Sequence, residues 1–180
     1  AKDQGKGAND VKETTYELCV TAVSREGDTI QYINIPEMLT EELYELAVAN
    51  EGQALLYILD PSLNVILRAI YSNPEIILQT RIDLMTHLMA LMAVVRDGSL
   101  LQHLIGIRSL LGFEISKDMI DKATYNNPEQ IVHLSYLPHI QDDTIFLNRI
   151  YLRSVFRKPE VYHALPEEYR TAQMAYFMVY

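Results

Sequence analysis

The sequence predicts an all-α protein, an α-solenoid of about six helix–break–helix repeats of 22–31 residues. Three observations carry that expectation. One stretch recurs along the chain, apolar residues return at spacings of three and four, and every copy holds a glycine or proline at one fixed place. A strand reading fails because it would need a spacing of two.

The clearest pair of copies is residues 16–33 laid on 41–58. Eight of eighteen positions are identical, and Pro36 then falls on Pro61. Each copy centres on a small residue: Ala22, Ala47, Ala69, Ala93, Ala123 and Ser154, spaced 25, 22, 24, 30 and 31 apart. A seventh copy begins 24 residues later at Met178. The two long spacings imply extra turns near residues 110–116 and 138–143.

Residues 1–13, AKDQGKGANDVKE, are polar and without apolar period, and read as a flexible N-terminal segment. Thr14 or Thr15 then offers an N-cap with Glu17 in the first turn. Residues 14–180 read as a single helical repeat domain, part of a longer protein because the chain starts at Ala1. In each copy a first helix carries an apolar residue four before the small one: Leu18, Leu43, Val65, Met89, Met119 and Ile150. The break follows at Gly27, Gly52, Pro74, Gly98, Pro128 and Pro159. Glycine is expected to end the helix in a left-handed cap, and proline to open the next one, where its missing N–H costs nothing. The second, shorter helix contributes Ile30, Leu55, Ile77, Leu101, Ile131 and Tyr162, then Ile33, Ile58, Thr80, Leu104, Leu134 and Leu165 three residues on.

Composition narrows the function classes. Residues 1–60 hold twelve acidic against four basic side chains, whereas 61–120 balance at five each and 121–180 hold seven against six. A net charge of −9 opposes general nucleic-acid binding, which needs a field that attracts phosphate. The single cysteine, Cys19, excludes an internal disulfide and a cysteine zinc cluster, and it favours a reducing compartment. The most apolar run, residues 84–95, is interrupted by His87 and is too short to span a bilayer. No signal-peptide pattern opens the chain.

The motif Glu-Leu, three residues, Ala-Val, a polar tetrad ending in Gly or Pro, then Leu-x-Tyr-Ile resembles a tandem helical repeat without assigned activity, found in bacterial proteins. These include secreted effectors of intracellular bacteria. Here it is carried by Glu17-Leu18, Ala22-Val23, Gly27 and Ile30-Gln31-Tyr32-Ile33, and again by Leu43, Ala47-Val48, Gly52 and Leu55-Leu56-Tyr57-Ile58. The third, fifth and sixth copies depart from it by using proline. The resemblance implies an accessory or targeting module of a larger protein and lends no catalytic residue. The chain would then be cytoplasmic, or secreted into a host cell as part of an effector.

No phosphate loop, HExxH, CxxC or nucleophile elbow is present, so no catalytic residue, cofactor or metal is assigned. His103 and His133 share a column with Tyr32 and Tyr57 and read as half-buried, locally bonded side chains rather than ligands. Glu160 and His163 have a metal-motif spacing with no marked partners, and Cys19 stands in a mostly apolar column. Asp142-Asp143 reads as a helix cap. Arg149, Arg153 and Arg157 share one helix face, and Arg25, Arg96 and Arg157 share a column. That ladder could dock an acidic peptide, phosphates or anionic lipid, or it could be a solvated face that pairs with nearby carboxylates. Tyr71, Tyr125 and Phe156 form a column that would anchor a partner if exposed and belong to the core if buried.

The expected function is therefore a protein-interaction module. Arg96, Arg153, Arg157 and Tyr125 are the candidate partner contacts, and the acidic first two copies are an alternative face for a basic partner. An enzyme with an unrecognised site and an architectural spacer are the other readings. The apolar ending AQMAYFMVY suggests self-association or packing on a partner.

Overall fold

The computed structural model describes residues 4–176, with side chains from Thr15 onward. Among the described residues every regular element is a helix. The chain divides into two compact units, residues 1–79 and 80–180, where the sequence suggested one domain.

The first unit holds α1 (Gln4–Arg25), α2 (Glu41–Asn50) and α3 (Leu63–Ser72), each followed by a 3₁₀-helix: Gly27–Tyr32, Gly52–Tyr57 and Pro74–Gln79. A further 3₁₀ turn, Pro36–Met38, precedes α2. Helix α2 packs between α1 and α3, and the 3₁₀-helices pack on one another in a second row. The segment expected to be flexible, residues 1–13, is helical from Gln4 onward, and residues 1–3 lie outside the described residues.

The second unit contains α4 (His87–Arg96), α5 (Leu100–Gly106), α6 (Lys117–Asn126), α7 (Pro138–Gln141), α8 (Thr144–Arg157) and α9 (Ala172–Tyr176). Its 3₁₀-helices include Pro128–Tyr136 and Pro159–Ala164. Helix α6 packs between α4 and α8, while α5, Pro128–Tyr136 and Pro159–Ala164 form the second row. The extra turns expected near 110–116 and 138–143 are the 3₁₀ turn Arg108–Leu110 with its extended exit, and α7.

Four first helices start by one local device, and all six stop by another. Thr40, Ser62, Thr86 and Ser116, each seven residues before the small residue, accept the N–H of Leu43, Val65, Met89 and Met119 at 3.3 Å. Asp143 caps α8 through the N–H of Phe146 at 2.9 Å, as expected for the acidic pair, and Thr171 caps α9 through Met174 at 3.2 Å. At the other end, the N–H groups of Glu26, Glu51, Asn73, Asp97, Asn127 and Lys158 donate to the carbonyls of the six small residues at 2.7–3.1 Å. These same residues are extended, with φ between −148° and −134°, and that single extended residue turns the chain into the next helix. Most of the second helices are six residues long, too short for a worthwhile i→i+4 ladder, and they form 3₁₀ turns; α5 alone of the aligned set is α-helical.

Burial follows the columns. Val23, Val48, Ile70, Val94, Thr124 and Val155, each directly after the small residue, are all fully buried. Thr124 fits this apolar column because its hydroxyl donates to the Ile120 carbonyl at 2.7 Å. Leu43, Val65, Met89, Met119 and Ile150 are buried as well, but Leu18 is 66% exposed and Ala22 is exposed with it.

The break glycines work differently from the expectation. No glycine among the described residues has a positive φ, so none is a left-handed cap. A Cβ on Gly27 would lie 2.4 Å from the Ala47 carbonyl oxygen, on Gly52 2.7 Å from that of Ala69, and on Gly98 2.4 Å from that of Ala123. Glycine is needed because the next helix's small residue rests against its backbone. Prolines 74, 128 and 159 do open 3₁₀-helices, as expected.

Adjacent helices are also tied by side chains. Tyr16 Oη lies 3.0 Å from the Thr40 hydroxyl, Ser62 donates to Glu41, His87 Nε2 lies 3.1 Å from the Ser116 hydroxyl, and Lys117 pairs with Asp143. The last three join the first turn of one helix to the N-cap of the next, whereas Tyr16 reaches the Thr40 cap from within α1. Lys117 and the Phe146 N–H together hold the Asp143 carboxyl below the usual carboxylate range.

Among the described residues Tyr151 is the largest fully buried side chain, edge-on to Tyr169 at 4.9 Å between ring centroids. Burial, aided by Tyr169 and Glu168, pushes its phenol up to about 12. The proton is thus held more tightly in the folded state than in the unfolded one. Stability should fall as pH rises through the window from about 10 to about 12, where only the unfolded chain ionises freely. Thermal melts across that window should show a smaller loss for Tyr151→Phe than for the parent chain; equal slopes would remove the assignment.

Candidate functional site

The residues singled out by sequence gather at the C-terminal ends of the first helices in the second unit. The residue after each small one turns inward, so the next two project outward at the helix end. In this unit they are Val95 and Arg96 on α4, Tyr125 and Asn126 on α6, and Phe156 and Arg157 on α8. Val95, Tyr125 and Phe156 are 42%, 51% and 66% exposed, which answers the question left open for the aromatic column: it faces solvent. In the first unit Tyr71 is exposed at the same register.

Carbonyls left over at these helix ends are taken by the neighbouring helix. Asn126 donates to the Val95 carbonyl at 2.7 Å, Asn50 to that of Val23 at 3.2 Å, and Ser72 to that of Ala49 at 3.3 Å. In the second unit the Asn126 bond ties the end of α6 to that of α4.

The three arginines of α8 have different surroundings. Arg153 donates to the Asp121 carboxylate and carbonyl, both at 2.9 Å, and to the Thr124 hydroxyl at 3.0 Å. Its side chain is only 25% exposed, so it ties α8 to α6. Arg149 reaches the same carboxylate at 3.3 Å and lies 5.4 Å from the Phe146 ring centroid. Arg157 stacks on the Tyr125 ring, its guanidinium carbon 4.2 Å from the centroid, while Arg153 flanks that ring at 5.5 Å. Among the described residues no carboxylate pairs with Arg157. Arg153, Arg157 and Tyr125 therefore form one cluster. Arg96 is exposed at the end of α4, the helix whose Val95 carbonyl is bonded by Asn126.

The remaining candidates are dispersed. Cys19 is half-buried. The column of Tyr32, Tyr57, His103 and His133 is more exposed than expected, Tyr32 reaching 72% and only His133 being half-buried. Glu160 and His163 are exposed, and the His163 ring lies against Tyr162. No group of three or more His, Cys, Asp or Glu among the described residues is placed to hold a metal ion. No helix among them is long and apolar enough to cross a membrane.

Sequence reasoning missed the N-cap column, although Ser or Thr three residues ahead of Leu43, Val65, Met89 and Met119 was its visible sign. It also missed Asp121, whose role depends on a partner 32 residues away.

No protein-family model matches the chain, and neither a curated protein nor a solved structure matches it.

Proposed function

We propose that the chain is a non-enzymatic protein-interaction module, an α-solenoid of six helix–break–helix repeats of the kind carried by bacterial accessory and effector proteins. It would dock an acidic partner on the helix-end edge of its second unit. The recurrence of one break geometry at six registers, and of one N-cap at four, supports the repeat reading. The observation that carries the docking site is the Arg157 guanidinium, stacked on a half-exposed tyrosine ring and without a carboxylate partner among the described residues. Stacking holds the cation in place while leaving its N–H fork open for a carboxylate. Arg96 would add charge, Tyr125 and Phe156 apolar contact, and Arg153 would position the cluster from beneath.

Capture from a host-cell lysate at two salt concentrations tests this. Partners held by the parent chain should be lost with Arg157→Ala/Tyr125→Ala and weakened by salt, whereas Arg153→Ala should lower thermal stability first. Equal capture by the double variant would remove the edge as the docking site.

One observation favours a catalytic reading. An open cleft of the second unit places His133 near Glu129 and Glu160. Its lining has no hydroxyl or thiol nucleophile, and Glu129 is engaged by Lys158, so binding fits this cleft better than acyl transfer.

A further inference from the structure

That cleft, about 410 Å3, lies along the second row of the second unit, with Gln102 on α5, Glu129, Gln130 and His133 on the 3₁₀-helix Pro128–Tyr136, and Lys158 and Glu160 beyond. Gln130 is the anomaly. Its register, two residues after the break, is held elsewhere by Ala54, Ile76, Leu100 and Val161, all buried, and by Thr29, whose hydroxyl donates to the Glu26 carbonyl at 2.7 Å. Gln130 is only 5% exposed, and its Oε1 is buried without a hydrogen-bond partner. An unmet buried acceptor of this kind destabilises the fold. Leucine or valine would fill the same register without that cost, as the other copies do. Folding therefore gives no reason for an amide here, and a ligand that brings a donor does.

The charges around it indicate which donor. Glu129 and Glu160 flank the single cation Lys158, which is bound to Glu129. This leaves the cleft one negative charge in excess. A ligand completing both deficits carries a positive charge and several N–H groups in one plane. A guanidinium has five donors in a fixed fork, enough to serve an amide oxygen and a carboxylate together.

We propose that this cleft binds an arginine side chain of a peptide, its guanidinium donating to Gln130 as the amide turns into the cleft and lying against Glu160. The site is separate from the helix-end edge and does not depend on it. The probe is a capped glycine pentapeptide with a central arginine, titrated into the full chain and followed by NMR. Saturable shifts should appear at the side-chain amides of Gln130 and Gln102 and at His133, and they should be absent with the citrulline peptide. Gln130→Leu should weaken binding by about tenfold, the loss expected for a hydrogen bond to a charged group, while raising the melting temperature. Glu160→Gln, a surface change, should weaken binding and flatten its salt dependence, and Arg157→Ala should leave it unchanged. Absence of saturable shifts in the cleft up to about 5 mM peptide would overturn the proposal, as would equal binding by Gln130→Leu.

Discussion

Gly98→Ala should destabilise the chain by about 2–3 kcal/mol, as far as overpacking a well-filled site ordinarily does. The added methyl would lie 2.4 Å from the carbonyl oxygen of Ala123 and 3.1 Å from the Cβ of Asn127. The oxygen belongs to backbone already fixed by the Asn127 N–H at 2.7 Å, so no flexible side chain can move aside. Helix α6 must shift away from α4, loosening a contact on which Ala93, Val94, Ala123 and Thr124, all fully buried, depend. With about 2–4 °C per kcal/mol for a chain of this size, the melting temperature should drop by roughly 5–10 °C. Gly106→Ala is the matched control. It ends α5 with nothing within 4 Å of an added Cβ, so alanine there should stabilise by about 0.5–1 kcal/mol through the unfolded chain. If both variants melt alike, the close approach of Gly98 to α6 does not exist in solution.

The glycine column shows how far the sequence could be read. Its position was legible, because Gly27, Gly52 and Gly98 stand at one distance after a small residue. Its cause was not. Residue type alone does not separate a backbone that needs positive φ from one that another backbone touches. The neighbouring column held the missing clue: an alanine in the next copy is small for the same reason the glycine is. First helices were readable from apolar residues four apart, except for the start of α1, which lies at Gln4 and not at Thr14 or Thr15. The second helices were readable as helices but not as 3₁₀ turns, because apolar residues three apart suit a short helix of either kind. At the candidate site, the arginine spacing correctly gave a shared face. Only the fold could divide that face into Arg153, bonded to Asp121 and Thr124, and Arg157, stacked on Tyr125.

Leu43→Ala should cost about 3 kcal/mol, within the usual range for deleting a fully buried leucine, while Leu18→Ala should change stability by less than about 0.5 kcal/mol. The two leucines occupy the same place in the same motif, Glu-Leu followed four residues on by Ala-Val. What differs is the number of neighbours. Helix α2 lies between α1 and α3, so Leu43 and Ala47 are covered completely. Helix α1 is backed by α2 on one side, and Leu18 remains 66% exposed. Sequence identity between copies thus predicts the same local helix but not the same energy, because burial in a stacked array comes from adjacent copies and not from the copy itself. Chemical denaturation of both variants at one protein concentration measures the contrast. Should Leu18→Ala prove as costly as Leu43→Ala, something covers the α1 face in solution. A melting temperature that rises with protein concentration would then identify the cover as a second copy of the chain.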